Sequence, residues 1–499
     1  MDFGIIDIEL YFPKVYVSQS ELEEYDNVSK GKYTIGLLQT NMSFPLENED
    51  TVSLALNAFD RLVTRSNIDL NSVGRLEVGT ESSVDKSKSI KTHLMKFFEK
   101  SGNNDVLGVD NVNACYGATA ALLNCINWFH SPFYDGGYAI VVSSDIAIYE
   151  KGPARPTGGC GAIAMLIGPD APIVFEKGHG YLSSFFSHDW DFYKPKMSSS
   201  FPIVDRRLSI GCYLEAIDNC YDTFRKKYTN VNRNKKKERL TKKSKNKKEN
   251  ENGNENENQN QNENENDNQN EKENKSKSKS KNKNKDYKFD LNRADHVLFH
   301  SPFNKMVVKS WARLNYLDWY DSNLSLEGIQ EELRKKPKSQ TRTDRSVETS
   351  FRKVSNQTYK EKIEKSNYVC AQCGNLYTGA LYGALISLIL DQKEKITGKN
   401  ILMFSYGSGI ASSMFLLKVR KCPTKIIKAC SKIPERLESR TKINPEMYTE
   451  ILKNRENDKL KQLPYNPEWK KKHMWGNSWY LKQIDEKCRR LYEKSNAFN

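Results

Sequence analysis

The chain has 499 residues, a length that suits one large α/β unit built from two related halves. Its formal net charge of +15 fits either a solvated basic surface or the binding of a polyanion such as coenzyme A. The longest apolar runs are too short to span a bilayer, and neither zinc-finger spacing nor an aromatic RNA-binding signature is present. We therefore expect no membrane span and no nucleic-acid module.

The N-terminus is acidic and quickly becomes strand-like, without the basic leader of a secreted or imported protein. The ten cysteines follow no disulfide framework, so reduced thiols in a cytoplasmic protein are expected. Cys370 and Cys373 form a lone CxxC pair. Because a zinc site would need further ligands, no metal is predicted.

The segment Leu76–Ser82 reads as a strand that ends in a turn, and it offers two candidate bases, Glu77 and Glu81. Glu81 is the better candidate because it follows the apolar strand and the Gly79-Thr80 pair. A carboxylate held in a dry pocket can remove a proton from carbon.

The segment NACYGATAAL contains Cys115 between an apolar run, Val106–Val109, and a small-residue helical stretch. This pattern predicts a buried strand that turns into a helix at the cysteine. Because a helix N-terminus has free N–H groups and a partial positive charge, we expect it to favour a Cys115 thiolate. A buried structural cysteine is the alternative interpretation.

Two stretches share the same order of parts, which predicts a duplicated α/β unit. The first has a helix over 118–128, a strand over 138–142 and an apolar run over 161–168. The second has a helix over 377–390, a strand over 400–404 and an apolar run over 411–419. We match the turn Cys115-Tyr116-Gly117 with Cys373-Gly374-Asn375, and expect the two turns to face each other near a pseudo-two-fold axis.

Between the two halves lies a low-complexity segment, residues 230–286, dominated by Lys, Asn, Glu and Ser. It contains almost nothing that a core could bury, so it is predicted to be a disordered surface insertion. The predicted organisation is an N-terminal half over 1–170, a connecting region over 171–229, this insertion, and a C-terminal half with a helical extension over 287–499.

Two further turns follow apolar strands of the second half. His300 closes the run from His296 and precedes a proline turn, where it could donate a hydrogen bond to a substrate carbonyl or be a satisfied structural histidine. The turn Tyr406–Gly409 could expose a backbone N–H that, with the Cys115 N–H, would form an oxyanion hole; an ordinary tight turn is the alternative.

Together these segments resemble the 3-hydroxy-3-methylglutaryl-CoA synthase family. The motifs, in family order, are GRLEVGTES, NACYGATAAL, VVSSDIA, ARPTGG, DFYKP, FHSP, CGNLYTGALYG and FSYGSG. The resemblance implies a thiolase-like fold, layered α-β-α-β-α, and a homodimer. It implies condensation of acetyl-CoA with acetoacetyl-CoA and water in the mevalonate route to isoprenoids and sterols, without a resident cofactor.

The resemblance also implies roles for residues of this chain. Cys115 would accept the acetyl group, Glu81 would remove the methyl proton, and His300 would hold and polarise the acetoacetyl group. The further substrate-binding positions that it implies are Tyr116, Asp145, Thr157, Asp191, Ser209, Lys305, Lys309, Asn375 and Ser408. Three places depart from the family pattern and bear on coenzyme A affinity: Phe303, Pro153 and the pair Ser29-Lys30.

Other functions stay open at this point. A decarboxylating or thiolytic condensing enzyme would pair its cysteine with two histidines, with His and Asn, or with His and a second cysteine, whereas this chain offers Glu81. A catalytically inactive CoA-binding relative and a protein tethered to RNA or membrane surfaces through the insertion are different classes.

Overall fold

The computed structural model describes residues 2–196, 199–252, 288–322, 324–456, 462–468 and 470–497. The strands β1 to β17 are Phe3–Tyr11, Val15–Ser18, Asn41–Ser43, Val73–Thr80, Asp110–Val112, Tyr138–Ala147, Gly159–Pro169, Ile173–Phe175, Leu182–Phe186, Phe192–Tyr193, Ile203–Val204, His296–Phe299, Asn400–Gly407, Ala411–Val419, Thr441–Lys442, Trp479–Ile484 and Arg490–Lys494. The helices α1 to α13 are Gln19–Tyr25, Thr51–Ser66, Ile90–Leu94, Gly117–Phe129, Arg206–Asn252, Asn304–Tyr320, Arg345–Val354, Asn356–Lys362, Tyr368–Cys373, Ala380–Gln392, Thr424–Cys430, Ile433–Glu438 and Pro445–Glu456.

Ten strands form one continuous ladder in the order β12-β13-β14-β8-β1-β7-β6-β4-β5, with β9 also paired to β14. The first half supplies β4, β5 and β6 as parallel neighbours, and the second half supplies the parallel pair β12 and β13. The two halves therefore share a single hydrogen-bonded sheet, which is joined through β1, β8 and β14.

Three hydrophobic clusters define five layers of alternating helix and sheet. One cluster places α4 and α10 between strand faces of both halves. A second packs α2 on the outer face of the first-half strands, and a third packs α5 and α6 on the outer face of the second-half strands. Successive strand residues point to opposite faces, so Met403 joins the central cluster while Phe404 joins the outer one. The predicted α-β-α-β-α layering is confirmed.

The strand before Cys115 differs from the sequence prediction. It spans Asp110–Val112 instead of 106–109, and it is the last strand of the sheet, not a buried one. Leu107, Val109 and Val112 are all exposed. An apolar run on an edge strand has the same sequence pattern as a buried strand, and the pattern alone does not separate them.

The predicted boundary of the insertion also differs. Helix α5 continues past residue 230 to Asn252, Val231 is buried in the third cluster, and the Lys235 ammonium lies over the Tyr181 ring at 5.2 Å. Residues 253–287, which make up most of the predicted disordered segment, lie outside the described residues. No helix in the described ranges is long and apolar enough to cross a membrane.

Candidate active site

The carboxyl ends of the parallel strands bring the predicted catalytic residues to one place. Glu81 follows β4, Cys115 follows β5 and Asp145 lies near the end of β6, and these three strands are direct neighbours in the sheet. In the second half, His300 follows β12 and Ser408 follows β13. Because ligands bind where parallel strands end, this arrangement creates a site between the halves.

The turn that presents Cys115 is tightly constrained. Cys115 has φ 54°, a backbone conformation that residues other than glycine rarely adopt and that costs energy to hold. A Cβ on Gly117 would lie 2.4 Å from the Asn111 carbonyl oxygen, and a Cβ on Gly407 would lie 1.8 Å from the Ala114 carbonyl oxygen. The two glycines therefore let the turn fit against β5 and against the turn after β13.

Glu81 is in direct contact with the Cys115 backbone. The Cys115 N–H donates to Glu81 Oε2 at 2.6 Å, and Lys194 Nζ forms an ion pair with Glu81 Oε1 at 3.0 Å. The Lys194 ammonium also lies 4.7 Å from the centre of the Tyr377 ring. Because the Cys115 N–H is bonded to Glu81, the predicted oxyanion hole built on that N–H is wrong for this state of the site.

The electrostatic environment of Cys115 also differs from the expected one. Burial raises the pKa of the Cys115 thiol well above its ordinary value, and the carboxylates of Glu81 and Asp145 raise it further, while Lys194 opposes them. The Glu81 carboxylate stands directly at the helix N-terminus, where a thiolate would otherwise be stabilised. Burial and the two carboxylates therefore favour the protonated form of the Cys115 thiol.

Asp145 does not line the cavity, but it holds several residues of the site in place through hydrogen bonds. Its carboxylate accepts hydrogen bonds from the Glu81 N–H at 2.8 Å and from the hydroxyl groups of Thr80 and Ser82. Its other oxygen accepts from the N–H and hydroxyl of Thr378, a second-half residue. Burial raises the pKa of Asp145 to about 7, although this set of donors opposes the rise. Asp145 thus fixes Glu81 and joins the two halves.

Asp191 has a similar role on the other side. It is fully buried and accepts hydrogen bonds from the Tyr406 hydroxyl at 3.0 Å, the Ser408 hydroxyl at 2.9 Å and the Gly409 N–H at 3.2 Å. These contacts hold the turn after β13 in place. Asp191 therefore shapes the wall of the site through Tyr406 and Ser408.

A cavity of about 120 Å³ lies above Cys115. Among the predicted residues, its lining includes Cys115, Thr157, Ser209, His300, Asn375 and Ser408. The departures Phe303 and Pro153 also line it, so both substitutions act on the cavity wall directly. Ser29 and Lys30 are exposed on the loop after α1.

His300 lines the cavity with a neutral ring. Its backbone N–H donates to the Phe404 carbonyl and its carbonyl accepts from the Tyr213 hydroxyl. Its ring lies to one side of the Tyr213 and Tyr406 rings, 6.4 and 6.5 Å from their centres. Burial lowers the pKa of His300 to about 3, so the imidazole is uncharged at neutral pH. Nδ1 is buried and has no hydrogen-bond partner within the described residues. A neutral ring does not form an imidazolium–thiolate pair with Cys115.

Six predicted residues lie outside this cavity lining. They are Glu81, which contacts the Cys115 backbone, the buried Asp145 and Asp191, and Tyr116, Lys305 and Lys309. The Tyr116 hydroxyl instead hydrogen-bonds the Ser413 hydroxyl at 2.7 Å. Lys305 and Lys309 lie in the first turns of α6, one on either side of the lining residue Met306, and Lys309 pairs with Glu348. Glu77, the other candidate base, is engaged by Arg75 and Asn111.

Sequence reasoning missed Lys194 and the tyrosines of the wall. Lys194 belongs to the DFYKP motif, but a lysine in an irregular segment has no signal of its own until its ion pair with Glu81 is seen. Tyr149 and Tyr377, whose hydroxyls lie 3.2 Å apart, line the cavity beside it. A positive φ of 47° at Tyr377 would have marked the position, but φ is not visible in a sequence.

Within the ranges that the structure describes, no three His, Cys, Asp or Glu side chains come together as a metal site. Cys370 and Cys373 are both buried free thiols. The site has the components for acyl transfer to a thiol and for proton abstraction by a carboxylate.

Comparisons with known proteins agree with this geometry. The family model for the N-terminal domain of hydroxymethylglutaryl-coenzyme A synthase matches residues 1–172, and that for the C-terminal domain matches residues 173–247 and 267–495. The chain is 40% identical over 505 residues to human "Hydroxymethylglutaryl-CoA synthase, cytoplasmic", with 99% of this chain and 87% of the relative covered. It is 40% identical over 500 residues to "Hydroxymethylglutaryl-CoA synthase A" of Dictyostelium discoideum, covering 99% and 91%.

Solved structures give the same result. A structure described as "MvaS in complex with 3-hydroxy-3-methylglutaryl coenzyme A" superposes with a TM-score of 0.76 at 25% identity, covering 99% of both chains. A second, an HMG-CoA synthase complexed with CoA, has a TM-score of 0.70 at 21% identity and shares the fold. From its sequence and its structure alike, this chain belongs to the hydroxymethylglutaryl-CoA synthase family.

Proposed function

We propose that this chain condenses acetyl-CoA with acetoacetyl-CoA and water to give 3-hydroxy-3-methylglutaryl-CoA and CoA, a reaction that feeds the mevalonate route to isoprenoids and sterols. The observation that carries the proposal is the contact between Glu81 and the nucleophile's own turn, with Lys194 on the opposite oxygen. A carboxylate next to an acylated thiol is positioned to abstract a proton from the acyl group, which is the step that makes a carbon nucleophile.

The reaction begins with transfer of the acetyl group. The Cys115 sulfur attacks the thioester carbonyl of acetyl-CoA, the CoA thiolate leaves, and the Cys115 proton passes to that leaving group. The thiol must lose its proton during attack because its resting pKa is high. The Lys194 ammonium, which opposes this rise, favours the thiolate as it forms.

Carbon–carbon bond formation follows. Glu81 removes a proton from the methyl group of acetyl-Cys115, and the enolate carbon attacks the ketone carbon of acetoacetyl-CoA. The alkoxide that forms at that carbon takes up the proton that Glu81 carries, which gives the hydroxyl group and restores the carboxylate. The neutral imidazole of His300 has one N–H to donate to the ketone or thioester oxygen of that second substrate. Water then cleaves the Cys115 thioester, which releases the product carboxylate and regenerates the thiol.

The cavity entrance has the charge that a coenzyme A arm needs. Arg206 and Ser209 line the cavity, and Lys305 and Lys309 flank Met306 beside it. Burial lowers the pKa of Lys305, and the charges of Arg352 and Lys309 lower it further, so several cations lie close together there. We assign Ser209, Lys305 and Lys309 to the coenzyme A phosphates, and Thr157, Asn375 and Ser408 to the acyl part of the substrates.

A thiolytic or decarboxylating condensing enzyme is the nearest alternative. One form of it pairs the cysteine with His and Asn, and this chain has both residue types at the cavity. Asn375 and His300 do line the cavity with Cys115, but the group bonded at the Cys115 N–H is the carboxylate. All bond-making steps use side chains and the two thioesters, so we assign the enzyme no resident cofactor.

The edge strand β5 supports a homodimer. Leu107, Val109 and Val112 expose apolar side chains along the open edge of the sheet, where a second copy could pair strand to strand. Light scattering of the purified chain tests this, and a Val112→Lys variant should shift the mass towards the monomer. We place the enzyme in the cytoplasm, as the human relative's name states for that protein, although the mouse relative "Hydroxymethylglutaryl-CoA synthase, mitochondrial" is equally similar at 40% identity.

Intact-protein mass spectrometry after incubation with acetyl-CoA alone tests the function. We expect one acetyl group per chain, mapped by peptide digestion to Cys115. Subsequent addition of acetoacetyl-CoA should discharge it and release 3-hydroxy-3-methylglutaryl-CoA. An adduct on Cys125 or Cys160 contradicts the nucleophile assignment, and discharge without the six-carbon product contradicts the reaction.

A further inference from the structure

A second, larger cleft has different lining residues from the cavity above Cys115. It has a volume of about 720 Å³, within the range of small-molecule sites, and it shares no lining residue with the cavity above Cys115. It is formed by helix α2 on one side, by α11 and α12 on the other, and by the segment that precedes β16. Seven Lys or Arg side chains line it, against three Asp or Glu side chains.

The basic residues are spaced so that they share helix faces. Arg61 and Arg65 are four residues apart on α2. Lys425 and Lys428 are three apart on α11, and Lys432 and Arg436 are four apart at the start of and within α12. Residues three and four apart lie on the same side of a helix, and like charges at this spacing are mildly destabilising. Two basic faces therefore line the same cleft.

The acidic residues of the cleft are already engaged. Asp7 and Glu9 both pair with Arg65, Glu9 also pairs with Arg436, and Asp60 pairs with Lys494. Across the described ranges, no carboxylate pairs with Arg61, Lys425, Lys428 or Lys432. The cleft therefore keeps four positive charges that internal ion pairs do not neutralise.

Arg436 offers an independent observation in favour of an anion. Its Nη1 atom donates to Glu9 and to the Leu10 carbonyl, whereas its Nη2 atom is buried and makes no hydrogen bond to any described residue. The guanidinium lies 4.8 Å from the centre of the Phe12 ring, and burial lowers the pKa of Arg436 to about 9, with the nearby charge of Arg61 contributing. Rotation of the side chain towards the cleft would give Nη2 a phosphate or carboxylate oxygen as acceptor.

We propose that this cleft binds a small molecule that carries two or more phosphate groups. A single phosphate would fill a small part of 720 Å³ and could not reach both basic faces. A pyrophosphate group can contact Arg61 on the α2 side of the cleft and Lys428, Lys432 and Arg436 on the side of α11 and α12. Binding would relieve the repulsion between the two faces and stabilise the placement of α11 and α12 opposite α2.

Calorimetric titration of the full chain with inorganic pyrophosphate tests the proposal, with phosphate, sulfate and citrate as separate titrants at matched ionic strength. We expect pyrophosphate to bind at least about tenfold more tightly than phosphate or sulfate, and to raise the melting temperature. The double variant Lys428→Gln/Lys432→Gln, whose side chains are exposed and outside the core, should lose about tenfold in affinity or more.

Two matched variants locate the binding. Lys395→Gln/Lys487→Gln removes the same charge from exposed positions outside both cavities and should leave pyrophosphate affinity unchanged. Arg206→Gln, at the active-site cavity, should also leave it unchanged. If Arg206→Gln abolishes binding, pyrophosphate occupies the coenzyme A entrance and the proposal is overturned. Equal losses in the two lysine double variants, equal affinity for citrate, or no binding overturn it as well.

Discussion

The two halves of the molecule enter their central helices through the same backbone turn, yet only one of the two turns has a thiol beside a carboxylate. Cys115 has φ 54° and lies two residues before Gly117, where α4 starts. Tyr377 has φ 47° and lies two residues before Gly379, just ahead of α10. In each case the residue with positive φ is followed, two positions later, by a glycine that is in close contact with its surroundings. Cys115 and Tyr377 are therefore equivalent positions.

The residue after each turn reaches into the other half. The Tyr116 hydroxyl hydrogen-bonds Ser413 on β14, and the Thr378 hydroxyl donates to Asp145 on β6. The difference lies in the group behind each turn. Glu81 accepts the Cys115 N–H, whereas the Tyr377 N–H donates to the neutral Asn375 side chain. A duplicated frame thus carries chemistry in one copy and wall-forming residues in the other.

The largest expected effect comes from exchanging the reactive residue. Cys115→Ala should form no acetyl-enzyme and give no product, because no other thiol lines the cavity within the described residues. Tyr377→Phe keeps the ring over Lys194 and removes only the hydroxyl that contacts Tyr149, so it should keep the acetyl-enzyme. Mass spectrometry of both variants with acetyl-CoA is the measurement. Loss of the adduct in Tyr377→Phe as well would break the division between the turns.

Glu81→Gln should separate the two chemical steps. Condensation should fall by about 10³-fold, within the range for loss of a general base. Acetylation should fall far less, because removal of the carboxylate charge lowers the pKa of Cys115 and so favours its thiolate. Rapid-quench measurement of acetyl-enzyme formation and of product formation separates the two rates. Equal losses in both steps would show that Glu81 serves the thiol and not the carbon acid.

His300→Ala should act mainly on the second substrate. Loss of one hydrogen-bond donor to a developing oxyanion costs about 10²-fold in condensation, together with a higher KM for acetoacetyl-CoA. Acetylation should be nearly unchanged, because a neutral His300 ring does not stabilise the Cys115 thiolate as an imidazolium would. For the same reason, the rate should show no His300 titration between pH 6 and 9. Acetylation that collapses with condensation would instead make His300 the base for the thiol.

Much of this site followed from sequence because Glu81 and His300 come directly after apolar strands and Cys115 lies just before a small-residue helix. The sequence did not reveal which residues of the second half correspond to the Cys115 turn. Matching it with Cys373-Gly374-Asn375 was wrong, since α9 ends at Cys373 and the equivalent positive φ occurs at Tyr377. The positive φ identifies Tyr377 as the position equivalent to Cys115. Neither cysteine nor tyrosine often adopts a positive φ, so the residue types gave no signal of it.

The thiolate expectation failed for a related reason. A helix N-terminus contributes a favourable but modest effect, whereas burial and a carboxylate in contact act more strongly in the opposite direction. The sequence shows the helix start, but only the fold shows that Glu81 stands at it. Likewise, only the fold shows the role of Lys194, because its ion-pair partner Glu81 lies 113 positions away in the chain.

Lys194→Met tests the counter-ion of the Cys115 turn and should slow condensation by about tenfold, since the Lys194–Glu81 pair is largely buried and its loss leaves the carboxylate without its cation. Its distinguishing effect is on Cys115. Loss of the cation should raise the pKa of Cys115 further and slow its alkylation by iodoacetamide at pH 8, whereas Glu81→Gln should speed it. Lys194→Arg should restore most of the rate. Alkylation that changes in the same direction in Lys194→Met and Glu81→Gln contradicts this placement of charges.

The smallest expected effect concerns the insertion, which lies in the chain before the second half. Removal of residues 239–286 with a short glycine–serine linker should leave both chemical rates within about twofold, because loop length costs little free energy. Removal of residues 230–286 should also keep the chemistry but lower the free energy of unfolding by about 1–2 kcal/mol, since it takes Val231 out of the core. Urea unfolding of the two deletion variants compares them directly.

The single variant Val231→Ala in the full chain should reproduce most of the loss in the free energy of unfolding. The Val231 side chain packs against Gly180, and helix α5 continues unchanged in this variant. Equal stability of the two deletion variants would mean that the helical segment 230–238 contributes nothing to the fold, and that the original boundary at residue 230 is the physical one.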